Sequence, residues 1–79
     1  MKITQAVAKR TRDLLIENKI SQYRLEKNMN IHHGTMTGIM STKNSSMNLK
    51  TVLQICKGLG VTPEQFFADP IFTSDELDI

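Results

Sequence analysis

Apolar residues recur along this chain at intervals of three and four, and Val and Thr are too scattered to build a run of period two. The pattern predicts helices and no strand. A first helix is expected over residues 5–18, with Thr4 as its N-cap and Val7, Thr11, Leu14, Leu15 and Asn18 on one face. A second opens at the N-cap Ser21 and runs to Met29, with Leu25 and Met29 as its inward pair. Asn30 tolerates the left-handed conformation that ends a helix and marks the stop. A third helix spans residues 33–41, with Met36, Ile39 and Met40 inward.

Beyond the polar stretch 42–48, Asn48 caps a fourth helix carrying Leu49, Val52, Leu53, Cys56 and Leu59 at helical spacing, with Ile55 alongside. Gly60 suits the left-handed position after it. "TPEQ" opens a fifth helix: Thr62 caps, Pro63 takes the first helical position and Gln65 completes a capping box, after which Phe66 and Phe67 close the core. Pro70 separates the last segment. The expected architecture is all-α: five short helices in one domain over residues 1–69, followed by an acidic tail over residues 70–79.

The second and third helices are joined across Met29-Asn30-Ile31, and the outward positions of the third are small: Gly34, Thr37 and Gly38. Two short helices in this arrangement describe a helix-turn-helix, whose second helix enters the major groove of DNA. Periodicity alone does not separate this unit from any other pair of amphipathic helices.

Charge sharpens the picture. Residues 1–57 hold all ten Lys and Arg against three acids, a balance of +7, whereas residues 58–79 hold five acids and no cation, a balance of −5. A basic body suits a polyanionic partner. The single cysteine, Cys56, cannot form an internal disulfide, which fits a reducing compartment. The N-terminus has no apolar run of the kind a secretory signal needs, and no stretch reaches the ~20 apolar residues of a membrane span. These observations point to a soluble cytoplasmic protein without membrane association.

Order and spacing carry further. Ser21-Gln22, Leu25, Met29-Asn30-Ile31, Thr35-Met36, Ile39, Leu49, Thr51-Val52-Leu53 and "KGLGVTPEQFF" resemble the Cro/CI-like (XRE) family of prokaryotic DNA-binding regulators, over about three quarters of the chain. The final stretch is similar to that family's "KALGVSLDELF" ending. The resemblance implies a lambda-repressor-like domain acting on double-stranded DNA, as a transcription regulator, as a repressor, and as a homodimer. It implies that Ser21 and Gln22, at the start of the second helix, meet a phosphate. His32 would cap the third helix and lie by the backbone. His33, Gly34, Thr37 and Gly38 would face the bases, and Thr42, Lys43 and Asn44 would contact the backbone after that helix.

Three positions depart from the family pattern. Gly34 and Gly38 stand where longer polar readers are usual, and each costs a helix about 1 kcal/mol relative to Ala. Glu26 stands where a small residue usually packs against the third helix, so its carboxylate must swing to solvent or find a cation, with Lys43 and Arg24 as candidates. Leu15 and Met40 occupy positions where some members carry a buried Arg–Glu pair; replacing both partners by apolar residues is often neutral or stabilising.

Other chemistry finds little support. His32 and His33 diverge by about 100° on a helix and cannot easily share one ion, and with Cys56 they do not make zinc spacing. No nucleophile, base and oxyanion constellation is present, so neither an enzyme nor a cofactor is expected. Tyr23 points outward from the second helix, and Lys9, Arg10 and Arg12 read as a solvated basic face. In the tail, Ile71, Phe72, Leu77 and Ile79 lie among acids. That segment is either disordered or docks on a second copy or a protein partner. A second reading of the whole chain is a protein-interaction module of the same fold, such as an antitoxin or a regulator subunit. The glycines and the absence of Lys and Arg from the third helix favour it; the basic body and Gln22 favour DNA.

Overall fold

The computed structural model describes residues 1–41 and 47–78. It is all-α: α1 (Ile3–Glu17), α2 (Gln22–Met29), α3 (His33–Met40), α4 (Leu49–Leu59) and α5 (Pro63–Phe66), followed by a 3-10 turn at Pro70–Phe72. Among the described residues there is no strand, only an isolated bridge between Lys2 and Asp78.

Local chemistry sets most helix ends. Ser21 Oγ accepts from the Arg24 N–H at 3.0 Å and Asn48 Oδ1 from the Thr51 N–H at 2.9 Å. Thr62 and Gln65 form the reciprocal capping box, at 3.1 and 2.9 Å. Asn30 (φ 55°) and Gly60 (φ 76°) end α2 and α4 in the left-handed conformation. In each case the next residue's N–H reaches back to the fifth carbonyl before it, Ile31 to Glu26 and Val61 to Cys56, which closes the turn.

Lys19 repeats this device without the residue type that signals it. Its φ is 56°, and Ile20 N–H donates to the Leu15 carbonyl at 2.9 Å. A side chain with a Cβ is strained there. Lys19→Gly is therefore expected to raise stability by up to about 1 kcal/mol, read from a urea midpoint that moves up with unchanged slope.

The core gathers Leu14, Leu15, Leu25, Met36, Ile55, Cys56, Leu59 and Phe66, with Val7 and Val52. α2 packs chiefly on α4. Gly58 permits the close approach: a Cβ there would lie 2.6 Å from Leu25 Cδ1 and 2.9 Å from Met29 Cγ. Asn28 Nδ2 donates to the Gly58 carbonyl at 2.9 Å across the same seam.

Several expectations are corrected. Thr4 is not the N-cap of α1; it lies buried inside the first turn and Lys2 takes the cap position. The reason is the segment near the other end of the chain: the Asp78 carbonyl accepts from Ile3 N–H at 3.0 Å, and Gln5 Oε1 from Lys2 N–H at 2.9 Å, so the helix starts two residues early with those two donors satisfied. Leu49 (68% exposed) and Leu53 leave the core to Val52, Ile55, Cys56 and Leu59, the i, i+3, i+4, i+7 stripe. Phe66 is buried but Phe67 stays at the surface, because neighbouring residues on one turn diverge by about 100°.

The α1 cations are not simply a solvated face. Arg10 is mostly buried; its Nε donates to the Phe66 carbonyl and its Nη2 to the Gln65 carbonyl, both at 2.8 Å, with Asp69 at 3.5 Å. It closes the carbonyl end of α5, where a cation is favoured. Arg12 Nη1 reaches the Met40 carbonyl at the end of α3 at 3.3 Å, and Lys9 pairs with Asp13 at 2.7 Å. Arg10→Ala is expected to cost about 2–3 kcal/mol, and Arg10→Lys to recover less than half, since one ammonium cannot match the fork. Thermal midpoints of the two variants check this.

Residues 70–78 lie on their own chain. Asp78 N–H donates to the Met1 carbonyl at 2.7 Å, the Met1 ammonium to the Glu76 carbonyl at 2.9 Å, and Phe72 packs on Phe66 and Phe67. The aromatic trio, with centroids 4.8–5.9 Å apart, joins this segment to the core.

Candidate nucleic-acid interface

α3 is a short helix held by one side. Met36 is fully buried, and Ile39 and Met40 are half-buried against the core. The opposite side carries Gly34 and Gly38, where an added Cβ would meet nothing within 4 Å. His33 and Thr37 flank that open strip, both exposed. The left-handed turn at Asn30 and the half-buried Ile31 set the angle between α2 and α3.

One chain of contacts ties the starts of the two helices together. Glu26 Oε2 accepts from Gln22 Nε2 at 3.2 Å and lies 2.8 Å from His33 Nδ1. His33 Nε2 lies 3.4 Å from Thr37 Oγ1. These contacts link Gln22, in the first turn of α2, to His33, in the first turn of α3; the N–H groups and dipole at a helix start favour an anion.

Glu26, which the family resemblance left to swing to solvent or find a cation, is enclosed and meets His33. Its side chain is 7% exposed, its partners are His33 and Gln22, and Arg24 is not among them. Lys43, the other candidate, lies outside the described residues. The hydrogen bond from His33 holds the Glu26 carboxyl below its ordinary value of about 4.5, against the opposing effect of burial, with Gln22 adding to the lowering. A folded value below the unfolded one means that Glu26 stabilises the fold fully above the ordinary carboxylate range. That contribution is lost as pH falls through the folded value. Glu26→Gln is expected to flatten the acid limb of the stability–pH curve below about pH 4.5, measured as thermal midpoint in citrate buffers.

The other sequence-predicted residues divide clearly. Ser21 is exposed, with its hydroxyl engaged in capping α2. Gln22 is half-buried, and its amide is turned to Glu26. His32 holds the N-cap position of α3 through its carbonyl, which accepts from Thr35 and Met36 N–H; its side chain makes no capping bond. Thr42, Lys43 and Asn44 lie outside the described residues. Tyr23 is exposed, with Lys27 Nζ 5.3 Å from its ring centroid.

The Glu26–His33 pair is what sequence reasoning missed. The signal was present: a carboxylate on the inner face of one helix with a histidine seven residues on, across a tight turn. Cys56 is buried, and burial pushes its thiol up, which leaves little thiolate for chemistry. No helix among the described residues is long and apolar enough to cross a membrane.

Residues 10–70 match a family model described as the Cro/C1-type HTH DNA-binding domain. Neither the curated proteins nor the solved structures give a match.

Proposed function

The chain belongs to the Cro/C1-type helix-turn-helix DNA-binding family, and from that premise we propose that it is a sequence-specific transcription regulator, acting as a repressor. α3 enters the major groove with His33, Gly34, Thr37 and Gly38 toward the bases. Ser21, Gln22 and His32, with Thr42, Lys43 and Asn44, lie along the phosphates. The observation that carries this is the link between the first turns of α2 and α3, made through Glu26 at 3.2 and 2.8 Å. Phosphate contact at the start of α2 fixes the register in which α3 meets the bases.

Few long side chains line the open strip, so sequence preference is modest, and a dimer on half-sites about one helical turn apart supplies the rest. Selection from random duplexes tests both points. The expected product is a short, loosely defined half-site repeated about 10 bp away. A long, sharply defined single site contradicts it. The second reading, a protein-interaction module of the same fold, is favoured by one observation: α3 carries no Lys or Arg and presents an open glycine strip. Binding to a protein with no affinity for any duplex at low salt would establish it instead.

A further inference from the structure

The Glu26–His33 contact does more than settle a buried charge. Glu26 is almost wholly enclosed, at the seam between α2 and α3, while His33 is 76% exposed, on the face proposed above to meet DNA. Two acceptors cannot face one another at 2.8 Å, so a carboxylate at Oε2 requires the hydrogen on His33 Nδ1. Gln22 Nε2 supplies a second donor to the same oxygen, in keeping with its acting as an acceptor only. In the neutral imidazole, Nε2 is then a bare acceptor. Thr37 Oγ1, 3.4 Å from Nε2, meets it as a donor.

We propose that Glu26 is a positioning residue for base recognition: by fixing the Nδ1–H tautomer of His33, it makes His33 Nε2 and the Thr37 hydroxyl an acceptor–donor pair that reads adenine in the major groove. This rests on the DNA reading above. Adenine presents an N6 donor beside an N7 acceptor, which matches Nε2 and the Thr37 O–H in turn. Guanine presents two acceptors, O6 and N7, and sets one of them against the Nε2 lone pair. Cytosine offers a donor alone, and thymine an acceptor and a methyl group. The long 3.4 Å contact between Thr37 and His33 is easily exchanged for N7. A carboxylate accepts only, whereas an amide in its place accepts or donates equally, so Glu26→Gln frees the tautomer while keeping the shape.

Two measurements on the full chain test this. Long-range proton–nitrogen spectra of the free protein, at mildly alkaline pH, report which His33 nitrogen carries the hydrogen. The expected result is Nδ1–H in the wild type and a mixture in Glu26→Gln. Selection from random duplexes then reads the base. The wild type is expected to prefer adenine over guanine by about tenfold or more at one position of each half-site, and both Glu26→Gln and the exposed His33→Ala to lose that preference. An Nε2–H wild type, or an adenine preference that survives in Glu26→Gln or His33→Ala, overturns the proposal. Failure of every protein to bind any duplex at low salt overturns the DNA reading beneath it, and an Nδ1–H spectrum then shows that the tautomer argument was not the part at fault.

Discussion

Phe66→Ala is expected to unfold most of this domain's stability margin. The ring is fully buried, and it joins α5 to Phe67 at 5.1 Å and to Phe72 at 5.9 Å. Truncating a core Phe costs about 3–5 kcal/mol in lost transfer and cavity terms. A chain of this length has in total about 4–12 kcal/mol. The loss should lower the thermal midpoint by on the order of 20 °C, since each kcal/mol is worth about 4–8 °C in a small domain. Loosening α5 also withdraws the carbonyls that Arg10 holds, so the 70–78 segment should lose protection in the same transition. Phe67→Ala is the control: that ring is 39% exposed, and the same truncation should cost much less. Equal effects at the two positions would contradict the assignment of Phe66 as the closing residue.

Gly38→Glu should do the reverse, leaving the fold intact and removing DNA binding. A Cβ at position 38 meets nothing within 4 Å, and Glu is a better helix former than Gly by roughly half a kcal/mol. The thermal midpoint is therefore expected to stay level or rise slightly. The new carboxylate stands in the middle of the proposed groove-facing strip. Like charges brought together at an interface cost several kcal/mol. Affinity for duplex should fall by at least a hundredfold, on the scale of about 1.4 kcal/mol per factor of ten. Gly38→Ala separates the two effects: its midpoint should rise by about 1 kcal/mol's worth, with binding retained. A Gly38→Glu protein that still bound duplex with wild-type affinity would place the DNA face elsewhere.

The division between what the chain's pattern revealed and what it hid follows the range of the interactions. Ser21, Asn48, Thr62 with Gln65, Asn30 and Gly60 act within a few residues of themselves, and each caps the helix its identity predicted. Lys19 does the work of Asn or Gly with a residue that gives no such sign. Arg10 and Arg12 looked like surface charge because their partners, the carbonyls at the ends of α5 and α3, lie far along the chain and are backbone atoms with no residue type to betray them. The start of α1 was misplaced for the same reason: the carbonyl that satisfies Ile3 belongs to Asp78, at the other end of the sequence.

At the candidate site the open strip of α3 was legible, since helical spacing alone sets Gly34 and Gly38 opposite Met36. The Glu26 conflict was also legible, but not its resolution. The family pattern sets Glu26 against the third helix and cannot say which rotamer of His33 meets it. The same carboxylate turns Gln22 inward, so the residue expected to reach a phosphate must exchange a 3.2 Å contact to do so.

The most direct test of the account is fluorescence anisotropy of a labelled pool of random duplexes, titrated with the full chain at low and then moderate salt. Saturable binding is expected at low salt, with the logarithm of affinity falling linearly as the logarithm of salt rises, because each phosphate contact releases counterions. No binding at low salt from a protein that circular dichroism shows to be folded would contradict it.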